Sequence, residues 1–160
     1  MKHFFWTNIF KPGKNEIELI ADLWEKTPLF KGIPARHICS LAENMHIRNY
    51  QKDEIVFREG DQSAGAILIL EGQSNISTRH TLLSELVPGD FFGEIALAET
   101  EKRLANAVSV KPSRLVFFLK QDMEEWIETE PRLGAAMLMN LASILAHRLH
   151  RANILLEDGA

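Results

Sequence analysis

Glu94 and Arg103 are the residues whose chemistry and spacing say most. They lie in the stretch 88–108, where Pro88-Gly89-Asp90 is turn chemistry and Arg103 is the sole arginine. Gly93 allows a backbone conformation that a side chain would forbid, or a close approach to a ligand. The turn at 94–97 presents free backbone N–H groups at its start, which suit an anion. Arginine adds a planar fork of donors that matches a phosphate in two-point contact. A carboxylate beside a phosphate repels it, unless that carboxylate accepts hydrogen bonds from sugar hydroxyls. Glu94 with Arg103 therefore fits a small sugar phosphate carrying a free hydroxyl. Around them the order reads as strand end, tight turn, one short helical turn, loop and new strand.

The run Phe92-Gly93-Glu94-Ile95-Ala96-Leu97, followed by Arg103, Ala105 and Val108, resembles the phosphate-binding cassette of the cyclic nucleotide-binding domain family. That family includes regulatory subunits of cyclic-AMP-dependent kinase, catabolite activator proteins and gated channels. Glu59-Gly60-Asp61, the run from Ile67 to Gly72, and Pro88-Gly89-Asp90 fall where the family's glycine-punctuated strands do. The resemblance implies an α+β fold: an eight-stranded β jelly-roll barrel with N-terminal helices, a short cassette helix and a long C-terminal helix. It implies a ligand site of Phe92, Gly93, Glu94, Ile95, Ala96, Arg103, Leu104 and Ala105. The phosphate of cyclic AMP or cyclic GMP, cyclic AMP being the commoner, would meet Arg103 and the N–H groups of 93–96, Leu104 and Ala105. The ribose hydroxyl would meet Glu94, and no metal is implied.

Some positions depart from the family pattern. Leu104 stands where Ala, Ser or Thr is usual, and Asn106 replaces a common hydroxyl residue. Glu99 and Glu101 bring negative charge, partly offset by Lys102. The site survives if Leu104 points outward and only its N–H faces the ligand. The family's last helix often closes over the base, which makes Asn140, Ser143 and His147 candidate base contacts.

The elements that must position these residues follow from periodicity. Residues 1–14 form an aromatic N-terminal segment with Phe4, Phe5, Trp6 and Phe10, suited to packing on its own domain or on a second copy, or to docking on a partner or a membrane surface. Residues 15–45 read as two helices. Asn15 is placed to cap the first, Ile17, Ile20, Leu23 and Trp24 recur at helical spacing, and Thr27-Pro28 ends it. The second runs from 34 or 35 to 44, with Ile38, Leu41 and Met45 on one side. Residues 46–120 switch to short strands at 46–50, 55–57, 66–70, 75–78, 81–86, 105–110 and 115–119, with Arg79-His80 at a hairpin tip. Many short strands between regular turns imply a sandwich or rolled barrel. Residues 121–156 return to helix: a short one at 121–128 and a long one from Pro131. The long helix is apolar on more than one face, so it needs two surfaces to bury against. One is the barrel. The other is the same helix of a second subunit, or the monomer itself.

Composition bounds the function. A chain of 160 residues with 46% hydrophobic content suits one globular domain. A net charge of −4 offers no general attraction to nucleic acid. The single cysteine, Cys39, excludes an internal disulfide and fits the cytoplasm, where apolar filling is its expected role. No apolar run reaches the ~20 residues needed to span a bilayer. No nucleophile–base motif is present, so a non-enzymatic module is expected. His147 and His150 lie three apart but lack the partners of a metal site. The expected function is a cyclic-nucleotide-sensing regulatory module, a homodimer through its last helix, acting on an output partner the residues do not name. The alternative keeps the fold and dimer but loses the ligand through Leu104, Glu99 and Glu101. A transcription factor would need a DNA reader, and only 157–160 follow the long helix.

Overall fold

The computed structural model describes residues 8–79, 81–99 and 102–159. Phe4, Phe5 and Trp6 of the aromatic segment, His80 of the hairpin tip and Glu101 of the acidic pair lie outside them. In chain order the elements are β1 (Ile9–Phe10), α1 (Lys14–Glu25), a 3-10 turn (Pro28–Phe30), α2 (Ala35–Ala42), β2 (His46–Tyr50), β3 (Ile55–Phe57) and β4 (Gly65–Glu71). Then come β5 (Ser74–Ser77), β6 (Leu82–Leu86), β7 (Phe91–Phe92), α3 (Ile95–Ala98), β8 (Asn106–Ser109), β9 (Ser113–Leu119), α4 (Lys120–Thr129) and α5 (Pro131–Asp158).

Two helix ends differ from the sequence expectation. Gly13, not Asn15, caps α1: the Gly13 N–H donates to Glu16 Oε2 at 2.7 Å, and the Gly13 carbonyl accepts from the Glu16 and Ile17 N–H groups. Once Glu16 reaches back, Asn15 is carried into the first turn. Helix α2 stops at Ala42 rather than 44. Its end tightens through Asn44 N–H to Leu41 and Met45 N–H to Ala42. That drops Met45 into the core and starts β2 at once.

The α+β architecture is as expected. Among the described residues, two antiparallel sheets carry nine strands, ordered β1-β2-β9-β4-β7 and β3-β8-β5-β6. The added short strands, β1 and β7, lie at the edges of the first sheet. Side-chain alternation divides the core in two. On β4, Ala66, Leu68 and Leu70 face the helices, whereas Ile67 and Ile69 face the second sheet. A strand buried on both faces reads as the continuous apolar run Ala66 to Leu70. Trp24 ties the helices to this sheet. Its ring meets Phe30 at 5.2 Å, Phe91 at 5.7 Å and Phe118 at 6.0 Å, and its N–H donates to Met45 Sδ at 3.1 Å. Such tilted and edge contacts suit the ring quadrupoles.

Helix α5 has 28 residues and is about 42 Å long. Its first half packs on the domain through Met137 and Leu141, and Gly134 lets α4 come close at Ile127. Its second half leaves Leu149, Leu155 and Leu156 exposed, the last two at 71% and 73%. Among the described residues no helix is long and apolar enough to cross a membrane.

The near half of α5 is tethered by Asn140, whose amide donates to Leu29 O at 3.0 Å and Lys31 O at 2.9 Å. Asn140→Ala leaves those carbonyls at the end of the 3-10 turn without that donor. It is expected to lower the unfolding free energy by about 1–2 kcal/mol, read from urea denaturation.

Candidate functional site

The turn before β7 is clamped onto β4. Gly89 N–H donates to Ile69 O, Ile69 N–H to Asp90 O, and Val87 N–H to Asp90 Oδ2, all at 2.9 Å. After Phe92 the chain takes a left-handed step at Gly93, φ 72°, and enters α3. The step also has a packing reason. A Cβ at Gly93 would run into Arg103 Nη1, so glycine alone lets the guanidinium come this close.

Arg103 is fixed at both its backbone and its side chain. Its N–H donates to Asp61 O and its carbonyl accepts from Gly60 N–H, both at 2.8 Å. Nη2 donates to Gly65 O at 3.1 Å, and the guanidinium lies 4.3 Å above the Phe57 ring. Burial pulls its pKa down to about 10, against the opposing pull of Asp61, Glu94 and Tyr50. It stays charged at neutral pH.

Glu94 is fully buried, and among the described residues neither carboxylate oxygen has an aligned hydrogen bond. Among the described residues its ion pair is with α5: Arg148 Nη1 lies 2.5 Å from Oε1. That pair is close in distance yet poorly aligned, so Glu94 keeps open acceptor positions. Arg148 is itself half-exposed, so its end of the pair meets solvent.

A cavity of 390 Å³ opens beside these groups. Of the expected residues, Phe92, Gly93, Ile95, Ala96, Arg103, Leu104 and Ala105 line it, and Glu94 lies behind Arg148. Ile76 and Leu86 form an apolar wall. Leu104 is 68% exposed at the rim and does not fill the cavity. One expected donor is lost: Ala96 N–H bonds to Gly93 O at 3.1 Å within the turn. Among the described residues, the Glu94 and Ile95 N–H groups have no protein acceptor. Asn106 is structural, with Oδ1 accepting from Glu59 N–H at 3.0 Å.

The base-contact candidates on α5 move by a fraction of a turn. Asn140 holds the 3-10 turn, and Ser143 and His147 are exposed and do not line the cavity. Arg148 and Arg151 line it instead. The available signal was two arginines three apart on one helix face. Among the described residues, no three or more His, Cys, Asp or Glu gather as a metal-binding group.

The sequence profile of the family described as "Cyclic nucleotide-binding domain" matches residues 47–130. The chain is 25% identical over 142 residues to a CRP-like cAMP-activated global transcriptional regulator of Mycobacterium tuberculosis, covering 86% of this chain and 62% of that one. It superposes on the crystal structure of the Thermus thermophilus catabolite activator protein with TM-score 0.73 and 29% identity, covering 82% of this chain and 62% of that one. A cyclic nucleotide-binding domain from Methylobacillus flagellatus gives TM-score 0.77 at 19% identity, covering 96% and 90%, a likeness of fold. The chain spans less than two thirds of the length of the first two.

Gly93→Ala forces a left-handed residue to carry a Cβ against Arg103. It is expected to cost about 1–3 kcal/mol of stability in urea denaturation.

Proposed function

Because the chain belongs to the cyclic nucleotide-binding domain family, we propose that it is a regulatory module that senses cyclic AMP and relays occupancy to its last helix. The observation that carries this reading is the fully buried Glu94 carboxylate, with open acceptor positions, set between the Arg103 and Arg148 guanidiniums. A buried carboxylate without aligned donors is costly, and sugar hydroxyls supply such donors.

In this reading the cyclic phosphate takes the two-point fork of Arg103 and the N–H groups of Glu94 and Ile95. The ribose hydroxyl hydrogen-bonds to Glu94. The base lies along the apolar wall of Ile76 and Leu86, with Arg148 and Arg151 closing over it. Gly93, Ala96, Leu104 and Ala105 shape the cavity around it, with Leu104 contributing its main chain. Sugar binding must reach Glu94 past Arg148, so occupancy shifts Arg148 and with it α5. The exposed Leu149, Leu155 and Leu156 make the far half of α5 the seam of a homodimer. The compartment is the cytoplasm, where the Cys39 thiol stays reduced.

Isothermal titration tests the reading. Cyclic AMP is expected to bind, with Arg103→Ala weakening it about 100-fold through loss of a charge-assisted two-point contact. Arg148→Ala is expected to alter affinity and, by leaving buried Glu94 with one cation fewer, to lower stability in the ligand-free chain. No heat at millimolar cyclic AMP or cyclic GMP, or binding indifferent to Arg103→Ala, overturns it.

A further inference from the structure

We propose that the interior between the two sheets holds a second small-molecule site, for an apolar monocarboxylate. A cavity of 260 Å³ lies on the other side of Arg103 from the cassette, and its lining shares only Phe57 and Arg103 with the first. Ile9, Val56, Phe117 and Leu119 make most of its wall apolar.

Arg48 faces this space. On β2, Ile47 joins the helix-side core while Tyr50 joins the core between the sheets. Alternation therefore turns His46, Arg48 and Tyr50 inward. Arg48 is only 8% exposed, yet among the described residues its Nε has no hydrogen-bond partner. Its guanidinium stacks 4.6 Å from the Tyr50 ring centroid, and Nη2 stands 3.5 Å from Glu54 Oε1, a long contact to a partly exposed carboxylate. The His46 Nδ1 is likewise buried and, among the described residues, unpartnered. Burial, assisted by the charge of Lys11, holds this imidazole below its usual pKa, so it is neutral near pH 7.

A buried guanidinium with an open donor beside an apolar cavity is costly unless an anion completes it. A carboxylate meets that need in two-point contact, and an apolar body meets the walls. The volume lies just below the usual ~300–1,000 Å³ of ligand pockets, which suits a medium-chain acyl group or a single ring. Walls this apolar disfavour a phosphate ester or a nucleotide. The site does not depend on the cassette's being filled, so it stands or falls separately from the nucleotide reading.

Octanoate, with octanamide as its neutral length-matched control, tests this on the full nucleotide-free chain by thermal shift and calorimetry. Octanoate is expected to raise the unfolding midpoint with concentration. Octanamide is expected to bind at least about tenfold more weakly, lacking the charge-assisted pair. Arg48→Gln is expected to weaken octanoate by about tenfold or more. Ala64→Phe fills the exposed mouth of the cavity without touching the charge and is expected to do the same, which keeps the test alive if the first variant does not fold. No binding at millimolar octanoate, equal binding of octanoate and octanamide, or an affinity unchanged in whichever variants fold overturns the proposal.

Discussion

The structure depends on two cations facing one buried carboxylate. Glu94 has no exposed surface, and Arg103 and Arg148 approach it from different elements. Each approach has its own backbone condition. Arg103 reaches its place because Gly93 carries no Cβ. It stays there because Gly65 O accepts from Nη2 and Phe57 lies flat beneath it. Gly65 is equally constrained, since a Cβ there would meet the Phe118 carbonyl across the β4–β9 ladder. Arg148 reaches Glu94 from a helix that begins far along the chain. The charge arrangement is thus a statement about packing as much as about electrostatics.

The cassette sits where it can be felt by both halves of the core. Phe91 and Phe92 are adjacent on β7, and the strand's alternation sends them to opposite sides. Phe91 stacks near Trp24 in the helix-side core, and Phe92 lies 5.9 Å from Phe57 in the core between the sheets. One turn further, Leu97 of α3 joins the same helix-side core as Met137 and Leu141 of α5. In the proposed reading, a shift of α3 is passed to α5 through this shared core and through the Glu94–Arg148 contact. Close-packed interiors transmit such shifts because they have no slack to absorb them.

Much of this was legible in the residues, and the exceptions share a cause. Turn glycines, apolar alternation and helical period are local signals. They marked the long strands, the helices and the surroundings of Gly93 within a few residues. What local signals could not reach was pairing over distance. The two-residue strands Ile9–Phe10 and Phe91–Phe92 exist because β2 and β4 offer free edges, and neither is long enough to show a period. Asn15 looked like a cap until Glu16 folded back onto Gly13, a competition settled by side-chain reach. On α5 the polar interruptions that stood out were Asn140, Ser143 and His147, and Arg148 and Arg151 went unremarked. Which of them turn toward the cavity depends on how the helix is rotated, and Met137, Leu141 and the Asn140 tether set that rotation.

Helix α5 divides its roles along its length. The near half is fixed to the domain by buried Met137 and by the Asn140 hydrogen bonds. The far half carries both the guanidiniums that face the cavity and the exposed leucines Leu149, Leu155 and Leu156. A rigid helix cannot move one set without the other. In the proposed reading, whatever covers the leucines changes how readily Arg148 leaves Glu94, and whatever engages Glu94 changes how the leucines are presented. Such coupling is reciprocal by thermodynamic necessity. It needs no continuous chain of contacts through the barrel, because the shared element is one stretch of helix anchored at a single end.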